Sequence, residues 1–168
     1  MAKIIHALTV WQPWAWAIFH GKPVENRTWP CPKWMLGARL SIHAGRRYDP
    51  AAVRYVCERL GLQQLPPEAH AQGVLGLVTP WRNLEQCSIL ATGGSCSTCH
   101  HGPTCAKARD PIVASGWLTG PIGWELGDRV AFEKPIPCRG LQGLWIPEQE
   151  VLDEIWRQAA RFEEVRRG

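Results

Sequence analysis

The chain has 168 residues, with 19 Lys and Arg against 15 Asp and Glu, a formal net charge of +4. Hydrophobic residues make up 45% and charged residues 20%, which is ordinary globular composition and excludes a disordered chain. The length suits a single domain, no apolar run approaches the ~18 residues a membrane helix needs, and Met1-Ala2-Lys3-Ile4-Ile5-His6 is too short an apolar start for a signal peptide. A cytoplasmic protein is expected, with no membrane association and no obligate protein partner in evidence.

Three features of composition stand out. Ten Trp accompany only three Phe and two Tyr. Sixteen Gly and 14 Pro imply many turns and argue against a long-helix bundle. Seven Cys in a chain without a secretory signal read as metal ligands plus buried thiols rather than as a disulfide frame. Charge is uneven: positions 1–60 hold nine Lys/Arg against three Asp/Glu, whereas positions 148–168 hold four against six. A basic N-terminal stretch interleaved with Trp is the pattern of a nucleic-acid surface; a merely solvated basic face gives the same charge count.

In chain order, Ile4 to Val10 is β-branched and apolar, a strand. Trp11-Gln12-Pro13 breaks it, and Pro13 opens a short helix, Trp14 to His20, stopped by Gly21. Val24 to Trp29 is extended, and Arg39 to His43 alternates as a second strand. Asp49 is placed to cap a helix with Pro50 at its first position, running to Leu60 before Gly61, with Ala52, Val53, Val56, Cys57 and Leu60 on its apolar face. Gly73 to Thr79 is a buried strand; Ile122 to Leu126, Arg129 to Ile136 and Leu144 to Ile146 are further short strands. Positions 147–167 form an amphipathic C-terminal helix carrying Val151, Leu152, Ile155, Trp156, Ala159 and Phe162. Short strands with three helices make an α+β domain, and a partly closed β-barrel is the readiest way to bury them. On this reading 1–168 is one domain with an insertion at 87–110.

The densest chemistry lies between Trp11 and Trp29. In an extended segment Glu25 and Arg27, two apart, share a face, so a carboxylate and a guanidinium can form one wall of a pocket with Lys22 at its mouth. A purely structural ion pair fits the same spacing. Gln12-Pro13-Trp14-Ala15, followed by Gly21-Lys22 with Glu25, Arg27 and Trp29, resembles the ASCH domain of the PUA-like superfamily. Ile42-His43-Ala44-Gly45, Gly73-Val74-Leu75-Gly76, Pro121-Ile122-Gly123-Trp124 and the run from Arg139 to Trp145 resemble that family's later elements. The resemblance spans about Ile4 to Pro147, apart from residues near 87–111.

The resemblance implies a PUA-like β-barrel with flanking helices and a cleft that binds RNA or DNA, single-stranded or as a single base. Lys22 and Arg27 can meet phosphates, Trp14, Trp29, Trp117 or Trp124 can stack on a base, and Gln12 and Glu25 can read a base edge. Trp11 is a further cleft candidate, while Trp145 and Trp156 belong to the core. Some small ASCH proteins are amidohydrolases acting on N4-acetylcytidine, and others have been described as ribonucleases. The alternative function is therefore a hydrolase using Lys22 and Glu25, with His43 as a second proton-transfer group. Glu25 stands where the amidohydrolases have a Thr.

Cys87, Cys96, Cys99 and Cys105, with His100 and His101 among them, form a metal-ligand pattern in a Gly-rich stretch. Zinc takes four Cys, or three with His100 or His101; a [4Fe–4S] cluster takes four Cys. The adjacent His pair favours zinc. A polar, Gly-rich segment cannot offset an ordering entropy of ~1–2 kcal/mol per residue by burial alone, whereas a structural zinc site supplies ~10 kcal/mol or more. Metal analysis should find one zinc per chain in a colourless protein, against about four irons and a brown colour for the cluster. Chelation or Cys99→Ser should open 87–110 to protease while the strands stay folded. Absence of both metals from anaerobically prepared, metal-supplied protein would contradict the assignment.

Overall fold

The computed structural model describes residues 4–85 and 110–167. In chain order these form β1 (His6–Gln12), α1 (Trp14–Ile18), β2 (Val24–Arg27), a 3-10 turn at Lys33–Met35, β3 (Leu40–Tyr48) and α2 (Ala52–Leu60). A second 3-10 turn at Pro67–His70 precedes β4 (Gly73–Glu85), α3 (Pro111–Ala114), β5 (Ile122–Ile136), β6 (Leu144–Trp145) and α4 (Gln149–Arg167). The class is α+β, with the strands hydrogen-bonded in the order β2-β5-β4-β3-β1-β6. Cys87, Cys96, Cys99, Cys105, His100 and His101 lie outside the described residues. Among those described, no cluster of three or more His, Cys, Asp or Glu is placed to hold a metal, and no helix is long and apolar enough to cross a membrane.

Several elements differ from their sequence-based limits for local reasons. The second helix is regular only from Ala52, but Asp49 still holds the turn that opens it: its Oδ1 accepts from Ala51 N at 3.1 Å and its carbonyl from Ala52 N at 3.2 Å. The Asp49 backbone N–H also donates to Gln12 O at 2.6 Å, and its other carboxylate oxygen, Oδ2, accepts from the Trp14 indole at 3.1 Å. The two segments expected at Ile122–Leu126 and Arg129–Ile136 are one strand, which passes through Asp128 at φ +44°. A short helix, α3, was not expected; its cap is Asp110, whose carboxylate accepts from Ile112 N at 2.9 Å and pairs with Arg82 at 2.6 Å.

The contacts divide the chain into two compact units. The first comprises the chain to Gly21, Ala38–Thr79, and the chain from Asp128 onward. Here β1 runs parallel to β3, pairing His6 with Leu40 and Val10 with Ala44, and antiparallel to β6. β3 pairs antiparallel with β4, Leu40 opposite Val78. Ala7, Leu8 and Val10 on β1 and the run Leu40–Ala44 on β3, which includes the polar Ser41 and His43, are buried, so the central strands are covered on both faces. α4 sets Leu152 and Ile155, one turn apart, against Ile5, Val74, Leu77, Val130 and Ile136. Trp145 is buried, and Trp156 packs partly buried against the same cluster.

The second unit comprises Lys22–Gly37 and Pro80–Gly127, as far as these are described. β2 pairs antiparallel with β5, Val24 opposite Glu125 and Glu25 opposite Trp124. Val24 and Trp124 are fully buried, with Val113, Trp117, Leu118 and Leu126 also in the interior. The 3-10 turn at Lys33–Met35 contributes Met35 to the interior, and the preceding Cys31 is tied to Asn83 by two hydrogen bonds, of 2.7 and 3.0 Å.

Gly73 opens β4 at φ +103°, and a Cβ there would lie 2.3 Å from the Ile136 carbonyl oxygen of β5. Both the dihedral and the backbone contact demand glycine. Gly73→Ala should destabilise the protein by about 1–3 kcal/mol or more, read as a lower urea midpoint at constant slope. An unchanged midpoint would contradict this packing.

Candidate functional site

Each unit contains part of the sequence-based site. In the second unit, Lys22-Pro23 leads into β2, and the chain direction at Val24–Arg27 is set by the ladder to β5. The Lys22 ammonium donates to Glu25 Oε2 at 2.6 Å, and Glu25 Oε1 lies 3.1 Å from an Arg27 terminal nitrogen. Lys22 and Glu25 are 1% and 5% exposed, so both are interior groups; Lys22 is not at a pocket mouth as its neighbours Gly and Pro suggest. The Arg27 side chain, 21% exposed, is the member that reaches solvent. Burial pulls the Lys22 amine below the usual lysine range; Glu25 opposes this through its charge and its hydrogen bond, and Arg27 adds a smaller downward push.

Three tryptophans of this unit, Trp29, Trp117 and Trp124, are candidates for the site. Trp124 is fully buried and donates its indole N–H to Trp29 O at 3.0 Å, with the two rings edge to face at 4.6 Å. Trp117 is buried, and its carbonyl accepts from Asn26 Nδ2 at 3.0 Å. Asn26 Oδ1 in turn accepts from the backbone of Thr119 at 2.9 Å and Gly120 at 3.1 Å. Sequence reasoning passed over Asn26. Its signal was present: an amide between two charged residues in a strand has donors and acceptors to satisfy. Trp29 is half-buried, the more accessible of the three rings.

Gln12, Trp14 and His43 belong to the first unit. Gln12 is 2% exposed and uses its whole amide within the fold: Nε2 donates to Ala71 O at 2.8 Å, and Oε1 accepts from Trp16 N at 2.9 Å. Trp14 donates to Asp49 and packs against Tyr55 with ring centres 5.9 Å apart. His43 is buried on β3, with Nε2 at 3.2 Å from Cys138 O, its ring edge-on to Trp145 at 5.6 Å, and Nδ1 without a hydrogen bond among the described residues. The neutral tautomer with the proton on Nε2 satisfies the Cys138 carbonyl. Of the described cysteines, Cys31 is buried with its thiol pushed up to about 11 by burial; Cys57 is also buried, and Cys138 is half-buried.

No family model matches the chain, and no curated protein matches it. Among solved structures it is similar to the ASCH protein of Zymomonas mobilis, at 16% identity over 90% of this chain and 93% of that one, with a TM-score of 0.45. It is likewise similar to a tyrosine-to-phenylalanine mutant of that protein, at 16% identity over 92% and 98% of the two chains, with a TM-score of 0.46. ASCH is also the family that the Gln12-Pro13-Trp14-Ala15 and Lys22-to-Trp29 motifs resemble.

Burial holds the His43 imidazole below its ordinary value of about 6.5, with the Cys138 hydrogen bond pulling the other way. The unfolded chain therefore takes up a proton near pH ~6.5 that the folded chain refuses. This group's effect on stability is flat above that pH and becomes unfavourable as pH falls toward the lowered folded value. Urea unfolding at about pH 7.5 and about pH 5.5 should show a larger loss for the unmodified protein than for His43→Gln. Equal losses would contradict a neutral, buried His43.

Proposed function

We propose that this protein binds nucleic acid, RNA or DNA, and receives a base or nucleotide at the Lys22–Glu25–Arg27 segment. The observation that carries this reading is the buried Lys22–Glu25 contact that holds Arg27. Desolvating such charges costs several kcal/mol per ion, and well-packed apolar residues of similar volume generally support a fold as well or better. What the arrangement provides is a guanidinium partly open to solvent, with one terminal nitrogen held by a carboxylate. An oriented guanidinium suits a phosphate or the acceptor edge of a base. Trp29 offers a π-face close by in sequence, and the buried Trp124 packs edge-on against it. Lys22 acts here through Glu25, as a positioning residue.

The proposal extends to a cytoplasmic protein whose ligand is single-stranded or a single base, and whose residues Cys87, Cys96, Cys99 and Cys105 hold zinc. One observation favours a second reading, a hydrolase of nucleic acid or modified nucleosides. An amine lowered by burial, as at Lys22, is available as a base or nucleophile, and the adjacent Glu25 can relay the proton. At 1% exposure Lys22 offers a substrate almost no surface, which favours binding over catalysis.

Fluorescence anisotropy with labelled single-stranded RNA and DNA tests the first reading. Arg27→Ala should weaken binding about 10- to 100-fold, the loss of one charge-assisted contact, and lower the log–log salt slope by about 0.7. Unchanged affinity and slope would remove Arg27 from the interface. Incubation with N4-acetylcytidine and labelled RNA tests the second reading: turnover by the unmodified protein, lost in a Lys22→Ala variant that circular dichroism shows to be folded, would establish a hydrolase using Lys22, and no turnover of either substrate would leave the binding protein.

A further inference from the structure

The first unit holds a groove of about 840 Å3 where the ends of β1 and β3 meet the loop 137–142. Its lining includes Arg46, Arg47 and Arg139 but, among the described residues, no Asp or Glu. None of the three arginines has a carboxylate partner among the described residues. Three guanidinium groups around one concavity repel one another and are relieved by an anion.

The groove also has an aromatic wall. Trp11 sits where the β1–β3 register shifts, between Val10 and Gln12, and is 47% exposed. A register irregularity of this kind re-aims a side chain away from the ladder. The Arg47 guanidinium lies over the indole, 5.0 Å from the ring centre.

The loop 137–142 is held by buried and half-buried groups. The Thr9 hydroxyl donates to Leu141 O at 2.8 Å and accepts from the Trp145 indole at 3.1 Å. His43 Nε2 meets Cys138 O at 3.2 Å. Between these anchors Gly140 lies so close to His43 that a Cβ would come within 2.3 Å of the ring. The loop carrying Arg139 is thus fixed in advance, which removes part of the ordering cost of binding.

We propose that this groove is a second nucleic-acid contact. Arg46, Arg47 and Arg139 take phosphates of a single strand, and Trp11 stacks on one unpaired base. This rests on the nucleic-acid reading above and adds a site that does not involve Lys22, Glu25 or Arg27. Phosphate attraction alone would accept any polyanion; the exposed indole at the same groove selects a ligand with flat, unpaired rings.

The test is anisotropy of a fluorescein-labelled oligothymidylate and oligouridylate of about a dozen nucleotides, with full-length protein over a salt series. Trp11→Ala should weaken binding about 5- to 100-fold. The double variant Arg46→Ala/Arg139→Ala should lower the log–log salt slope by about 1.4, two phosphate contacts on a single strand. Duplex DNA and poly-glutamate should displace the labelled strand poorly. All these substitutions fall on exposed side chains, so folding is expected to be kept. If the groove variants bind like the unmodified protein while Arg27→Ala is weakened, the groove is refuted and the first site stands. If the unmodified protein binds neither oligonucleotide, the nucleic-acid reading fails and the groove proposal with it. Displacement by poly-glutamate as effective as by the oligonucleotide itself would refute the base contact.

Discussion

Glu25 divides its two oxygens between Lys22, at 2.6 Å, and Arg27, at 3.1 Å, in a segment that shields the first pair from water. Removing either partner of so buried a pair leaves an uncompensated charge, at a cost of about 3–5 kcal/mol. The three side chains are therefore tied to one local conformation, and that conformation is the β2 strand paired with β5. Asn26, between Glu25 and Arg27, closes the same segment onto the backbone at Trp117, Thr119 and Gly120. The proposed chemistry of Arg27 depends on this anchoring: one terminal nitrogen is held by Glu25, and the partly exposed guanidinium is positioned for an anion.

The first unit solves a related problem with neutral groups. His43, Thr9 and Trp145 are buried or half-buried polar side chains, and each finds a partner in the loop 138–141 or in one another. They convert a Gly-containing loop, which would otherwise be costly to order, into a fixed wall. His43 was singled out in the sequence as a candidate for proton transfer; the structure gives it a holding contact to Cys138 O and a burial that keeps it neutral.

Much of the fold could be read from the residues. Ile4 to Val10 and Arg39 to His43 announced β1 and β3 through their β-branched and apolar content, and Leu152 and Ile155 announced the buried face of α4. Strand ends were harder. β5 continues through Gly127-Asp128, a pair that reads as a turn, with Asp128 at φ +44° inside the strand. Asp49 reads as a helix cap and does accept from Ala51 N, but it also bonds Gln12 and Trp14, contacts more than thirty residues away that no local pattern encodes. The Lys22–Glu25–Arg27 constellation was visible as spacing, yet its burial was not, since Gly21, Lys22 and Pro23 together look like a surface turn. The arginine groove was invisible for a different reason: Trp11, Arg46 and Arg139 come from three distant stretches, and only the β1–β3 pairing and the pinned loop bring them to one concavity. The cysteine pattern lies outside the described residues and rests on spacing alone.

Binding of single-stranded nucleic acid by named residues is the centre of this account, and photo-cross-linking tests it most directly. An oligonucleotide carrying 4-thiouridine or 5-iodouracil would be bound at low salt, irradiated and digested, and the adducts placed by peptide sequencing. The account expects adducts at Trp11 and in the peptide that follows Arg27 and contains Trp29, both suppressed by excess unlabelled single strand. Adducts confined to the exposed face of α4, or none above the level of an unrelated protein of similar charge, would contradict it.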